Sequence, residues 1–136
     1  MVISATLHIN GHQNETNGID LLTCEYSFSQ DTDQRGLPTS KVNGGQINVS
    51  FKSFDDTEIL QWMISRDDDK NGKIIFSGDQ HSKSFKTLEF KDARLVYYNE
   101  NFVDKTDMVV SLTISARELI LSGVSYSNDW LGYEQA

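Results

Sequence analysis

The run Asp67-Asp68-Asp69-Lys70-Asn71-Gly72-Lys73-Ile74 has residue types suited to a hard cation. It supplies Asp, Asp, Asn, Gly and Ile at the first, third, fifth, sixth and eighth positions of a calcium-binding EF-hand loop, after a segment with helical spacing. The twelfth position, where that chemistry uses both oxygens of a Glu, is Gly78, and the residues leading to it alternate like a strand. Without that ligand the run reads as a solvated acidic turn closed by Asn71-Gly72. His8 and His12 are four apart, a spacing that converges on a helix, but they straddle a strand end and the Asn10-Gly11 turn. With His81 isolated in a polar stretch they make no zinc triad, and surface histidines are expected. Cys24 is the single cysteine. It excludes an intrachain disulfide and a cysteine-rich zinc site, and reads as a buried, reduced thiol on a strand.

Catalytic patterns are missing too. There is no Gly-x-Ser-x-Gly elbow, phosphate-cradling loop or dinucleotide fingerprint. Carboxylates such as Glu25 and Glu89 abound, with no pair preferred over another. Tyr97, Tyr98, Tyr126 and Trp130 could stack on a sugar, although such residues more often fill a core or an interface. No catalytic residue, cofactor or metal ligand is assigned, and the chain is not expected to be an enzyme. Twelve Lys and Arg against twenty Asp and Glu give 12 − 20 = −8, which opposes binding to nucleic acid or anionic lipid. No apolar run is long enough to span a membrane. The N-terminus has neither the basic nor the apolar region of a signal peptide, so cytoplasmic synthesis is expected, with any export independent of a cleaved signal.

The elements are mostly strands, because apolar residues recur every second position. Residues 2–9 alternate through Ile3, Ala5, Leu7 and Ile9, and 19–29 through Leu22, Cys24, Tyr26 and Phe28. Ile47, Val49 and Phe51 follow Gly44-Gly45. Later strands are carried by Ile74 and Phe76, by Leu88 and Phe90, by Leu95 and Tyr97, and by Met108 to Ala116, with Leu119 and Leu121 extending that strand or beginning a partner. One segment, about 55–66, breaks the alternation. Asp55 and Glu58 form a capping-box pattern, and Ile59, Trp62 and Met63 would pack a helix on the sheet. Eight or nine strands and one helix in 136 residues indicate a single mainly β domain, a β-barrel or sandwich. The polar segment 30–41 holds Arg35-Gly36-Leu37-Pro38, with the only proline. Loops of this length are uncommon unless functional or disordered. Assembly is favoured over catalysis.

Several blocks carry a more specific likeness: Ser4-Ala5-x-Leu7-x-Ile9, Tyr26-Ser27-Phe28-x-Gln30, Arg35-Gly36-x-Pro38, Gly44-Gly45-x-Ile47, Lys86-Thr87-Leu88-Glu89-Phe90-x-Asp92, Tyr98-x-Glu100-x-Phe102, Leu112 to Arg117 and Asn128-x-Trp130. In order and spacing, over about residues 2–130, the chain resembles the tube protein of the bacterial type VI secretion system, the Hcp or TssD family, in its divergent TssD branch. It departs from better-known members at Asp56-Thr57-Glu58, which replaces the second half of their helix-entry pattern, and in the tail 131–136.

The resemblance implies an Hcp-like two-sheet β-barrel with one helix, closing into hexameric rings. The rings stack into a tube, with a contractile sheath around it and a VgrG-type spike at its tip. Sheath contraction expels the tube, so the protein is secreted, and some members carry small effector proteins in the ring. The family is also related in fold to phage tail tubes. On this chain, Arg35, Gly36, Leu37 and Pro38 would touch neighbouring subunits or rings, and Thr113 and Ser115 would face a wet lumen. The alternative is a monomeric glycan-binding β-sandwich using Trp130 and the tyrosines.

Overall fold

A computed structural model describes residues 3–65, 67–78, 84–105 and 107–130. His81 and the tail 131–136 lie outside them. Among the described residues eight strands run β1 (Ser4–Ile9), β2 (Ile19–Asp20), β3 (Thr23–Tyr26), β4 (Gln46–Lys52), β5 (Lys70–Ser77), β6 (Ser84–Val103), β7 (Asp107–Leu121) and β8 (Val124–Ser127), with one helix, α1 (Glu58–Ile64), between β4 and β5. They form one antiparallel sheet in the order β2-β1-β5-β6-β7-β4-β3, with β8 also paired to β7. Segment 19–26 bridges the two ends of that order. Its first half pairs with β1 and its second with β4, and the Leu21 and Leu22 amides donate to the Ala5 and Ser50 carbonyls at 2.9 and 2.7 Å. The sheet therefore curls around its core as a half-barrel, in keeping with the mainly β, one-helix fold expected.

Alternation locates the core where each strand has one buried face. Ile47, Val49 and Phe51 on β4, and Val110, Leu112, Ile114 and Ala116 on β7, are buried together with Leu7, Ile9, Ile74, Leu88 and Phe90. The alternation fails at two places on β6. At Asp92, which has φ +50°, the buried positions step from Phe90 to Ala93 while the facing strand steps from Leu119 to Ala116. The Asp92 carboxylate receives the Arg117 guanidinium at 2.7 and 2.9 Å, and its N–H donates to the Asn71 side chain at 2.8 Å. A register shift against β7, between Leu95 and Tyr97, corrects the sequence reading. Tyr97 is exposed and Tyr98 packs against the core. β-Bulges re-aim side chains in this way.

The Asn71-Gly72 turn expected from the sequence does not form. Both residues lie inside β5, and Gly72 pairs with Ile9 on one side and Phe90 on the other. A Cβ at Gly72 would collide with the His8 carbonyl oxygen and the Phe90 ring, so glycine is there for a close approach of strands. The helix is also shorter than expected, and its cap differs. Thr57 is the N-cap without a side-chain bond. Asp56, not Asp55, accepts the Glu58 and Ile59 amides at 3.1 and 3.4 Å. Ile59 and Trp62 are buried, and Met63 is partly buried against the same cluster.

Cys24 lies half-buried on β3, and burial pushes its thiol from 9.0 up to about 11. The thiolate is the nucleophile, so iodoacetamide should leave Cys24 largely unmodified at pH 7.5 in the folded protein and label it after denaturation. Equal labelling in both states would show an open thiol. Because the folded-state value is the higher one, this group's contribution is fully present below about pH 9 and is lost as pH rises toward 11.

Candidate functional site: the arm and the polar sheet face

Residues 27–45 form a self-braced arm. Ser29 bridges Asn43, and Thr32 bridges Pro38, with amide-to-carbonyl bonds from Ser29 to Asn43 (2.9 Å), from Asn43 to Ser29 (2.6 Å) and from Thr39 to Asp31 (2.7 Å). At the tip, one Asp33 carboxylate oxygen accepts the Arg35 and Leu37 amides at 2.8 and 3.0 Å, while the Asp33 amide donates to the Leu37 carbonyl at 2.9 Å. Gly36 takes φ +84°. Arg35, Gly36, Leu37 and Pro38 thus share one tight turn, and every residue from 27 to 39 is exposed. Leu37 retains 64% of its surface, an apolar group presented outward by a braced backbone. Asp33, which organises the tip, was missed. Its signal was the aspartate placed to bond the backbone two residues on.

Thr113 and Ser115 lie on the face of β7 turned away from the core. Pairing places them in rows across three or four strands: Glu25–Asn48–Thr113–Tyr97 and Gln46–Ser115–Arg94, beside Thr23–Ser50–Ser111–Asn99. The Thr113 hydroxyl donates to the Asn48 side-chain oxygen at 2.7 Å, and the Thr23 and Ser50 hydroxyls are 2.5 Å apart. Although the chain carries a net −8, these rows are mainly hydroxyls and amides, with Glu25 and Arg94 as their only charges. The face offers hydrogen bonds without a strong field. A cleft of about 440 Å³ at its edge is lined by Gln46, Asn48, Ser115 and Trp130, among others.

The remaining candidates are dispersed. Asp67 and Asp69 engage Arg94 at 3.4 and 2.7 Å, and Asp68 faces Lys70 at 3.8 Å, so the acidic run is not coiled around a central point as an EF-hand loop is. The four aromatics do not make one platform. Tyr98 packs on the core, Tyr126 meets Phe28, Trp130 lies under the Arg94 guanidinium at 5.6 Å, and Tyr97 is exposed. Glu25 and Glu89 line separate clefts.

The histidine expectation is corrected: His8 and His12 are buried. His8 bonds to the Glu15 carbonyl at 2.6 Å and the Thr6 hydroxyl at 2.9 Å. His12 accepts the Asn14 amide at Nδ1, 3.0 Å, which leaves its proton on Nε2, 3.1 Å from Asp56. Among the described residues, His12, Asp56 and Glu58 are the group whose potential metal-ligand atoms converge, within 4.8 Å. Their lone pairs and proton already serve the helix start, since Glu58 accepts the Gln13 amide at 3.2 Å and Asp56 caps α1. No sequence pattern joins His12 to Asp56, 44 residues away.

Residues 1–131 match the family described as hemolysin coregulated protein Hcp (TssD). The chain belongs to the Hcp (TssD) family. Hcp1 from Flavobacterium johnsoniae is similar over 92% of this chain and 99% of its own, with 28% identity and a TM-score of 0.83. Hcp1 from Salmonella typhimurium shares the fold at 12% identity, with a TM-score of 0.71 and 93% of each chain covered. A protein in the sheath–tube complex of an extracellular contractile injection system, PVC, does so at 16% identity, with a TM-score of 0.55 and coverage of 90% and 88%. No curated protein matches. Hcp membership and the shared fold support a tube subunit of a type VI secretion system, a structural rather than enzymatic component, and suggest secretion through that system.

Proposed function

We propose that this Hcp chain assembles into hexameric rings that stack head to tail into the inner tube of a type VI secretion machine. Contraction of the surrounding sheath expels the tube behind a VgrG-type spike, and the ring lumen carries small effector proteins. The observation that carries this reading is the arm. A braced hairpin that holds Leu37 and Pro38 in water makes sense when a second copy covers them. A contact between two different patches of identical subunits closes into rings or propagates as filaments. The strand register supports a polarity for stacking. β4 begins at Gln46, beside the arm, and ends at Lys52, paired with Val109 near the β6–β7 hairpin tip. At that opposite end Phe102 and Met108 face each other across the hairpin, 66% and 43% exposed. Thr113 and Ser115, on the weakly charged face, are assigned to the lumen wall.

The test is size-exclusion chromatography with light scattering, then negative-stain microscopy of the main peak. The expected particle has a mass about six times the 15.4 kDa chain and a central hole, with short stacks at high concentration. A monomer at every concentration, joined by binding on a sugar array, would replace this reading with the glycan-binding one.

A further inference from the structure

The arm leaves the barrel at Ser27 and returns at Gly45, and β8 lies against that root. The Phe28 and Tyr126 rings meet edge-on with centroids 5.2 Å apart. The Tyr126 hydroxyl lies 2.8 Å from the Val42 carbonyl oxygen and 2.9 Å from the Asn128 side-chain oxygen. The Asn128 side-chain nitrogen donates to the Gly44 and Ala116 carbonyls at 3.2 and 3.0 Å, and its backbone amide donates to Arg117 at 2.6 Å. At this point β7 changes partner. Ser115 pairs with Gln46 of β4, whereas Glu118 pairs with Ser127 of β8. Asn128 ties the returning arm to β7 across that break. The backbone leaves it little room: Gly45 has φ +96°, and a Cβ there would collide with the Asn128 amide, as one at Gly44 would with the Phe28 ring.

We propose that Tyr126 and Asn128 are positioning residues for assembly, fixing the direction in which the arm leaves the barrel and so aiming its tip at the next copy. The proposal rests on the reading of the arm as a contact between copies. Leverage explains why two side chains at the root matter. The extended span from Ser29 to Gly36 reaches roughly 20 Å, so a swing of about 10° at the root carries the tip about 4 Å, the width of a contact. The bonds within the arm brace it against itself; among the described residues, the bonds that relate it to the barrel are those at its root.

Asn128→Asp exchanges the amide donors for a carboxylate facing the Gly44 and Ala116 carbonyls. Tyr126→Phe removes a single hydroxyl and keeps the ring on Phe28, so it stays informative if the first variant folds poorly. Hydrogen exchange and assembly are measured on each full chain. The Ala116 amide, which donates to the Gly45 carbonyl at 2.7 Å where the arm rejoins the barrel, is expected to exchange roughly tenfold faster, with the amides inside the arm (Ser29, Thr39, Asn43) and those of Val49 and Leu112 unchanged. Stacked rings should become scarcer by a similar factor while ring mass and melting temperature hold, a pattern that a general loss of stability does not give. An Ala116 amide at the wild-type rate in both variants would overturn the anchoring role. Faster exchange at Ala116 with stacking intact would overturn the positioning role. A wild-type chain that never stacks defeats the arm reading itself, and this proposal with it. That failure is recognisable because it needs no variant.

Discussion

Trp62→Ala is expected to destabilise the folded chain by about 3–5 kcal/mol, read as a lower denaturant midpoint with an unchanged slope. A helix of seven residues is far below the length that is stable alone in water, so α1 exists because its apolar side is docked. Ile59 and Trp62 are each 2% exposed, and the indole N–H donates to the Asp68 carbonyl at 2.7 Å. Alanine removes the buried indole from that interface and leaves the Asp68 carbonyl without its donor. Two controls separate packing from the helix itself. Leu60→Ala, at a position 41% exposed, should cost less than about 1 kcal/mol, and Trp62→Phe should fall between the two. An unchanged midpoint for Trp62→Ala would mean that the helix does not dock through this residue.

The same helix shows what was legible in the sequence. Its apolar spacing gave Ile59, Trp62 and Met63 because an amphipathic element states its buried side locally. Its cap was assigned to the wrong aspartate, since Asp55 and Asp56 differ only in which one the chain entry turns toward the amides, and His12 helps to hold Asp56 there. β1, β4 and β7 could be read from alternation for the same local reason. β6 could not, because Asp92 and the Leu95–Tyr97 shift each insert a step that changes the inward face, and the partners that hold Asp92 lie on facing strands, in Arg117 and Asn71. Asn71-Gly72 is the clearest conflict. The dipeptide is a strong turn signal, but β1 and β6 both claim it as a strand, and Gly72 serves their close approach. Tertiary pairing overrides a local preference worth about 1 kcal/mol.

The candidate site divides along the same line. That 30–41 would be a loop followed from its polarity and its proline. That it would fold back as a braced hairpin depends on Asp33 and on the Ser29–Asn43 bridge, the second a contact between residues that no local rule pairs. Thr113 and Ser115 were recognisable as outward-facing from parity alone. The neutrality of their surroundings became visible only when the register set Asn48, Gln46 and Ser111 beside them.

Deleting residues 32–38 should abolish stacking, or weaken ring closure, while the barrel stays folded. The geometry makes the deletion mild for the fold. Asp31 and Thr39 are already joined by a 2.7 Å hydrogen bond, so an Asn-Gly pair can close the shortened hairpin in the turn type that two-residue connections favour. No residue from 29 to 45 contributes to the hydrophobic core, and shortening an exposed loop changes closure entropy by well under about 1 kcal/mol. The melting temperature should therefore move by no more than a few degrees. The assembly effect should be much larger, because the whole outward tip with Leu37 and Pro38 goes at once. Leu37→Asp, which leaves the Asp33 turn in place, isolates the apolar contribution and should weaken stacking in the same direction. A truncated chain that stacks and is secreted as the intact one does would remove the arm from the interface. Lost stacking with intact rings would place the arm between rings. Loss of the rings as well would place it between neighbours within one, where the arm of each subunit would have to lie against the next barrel around the circle.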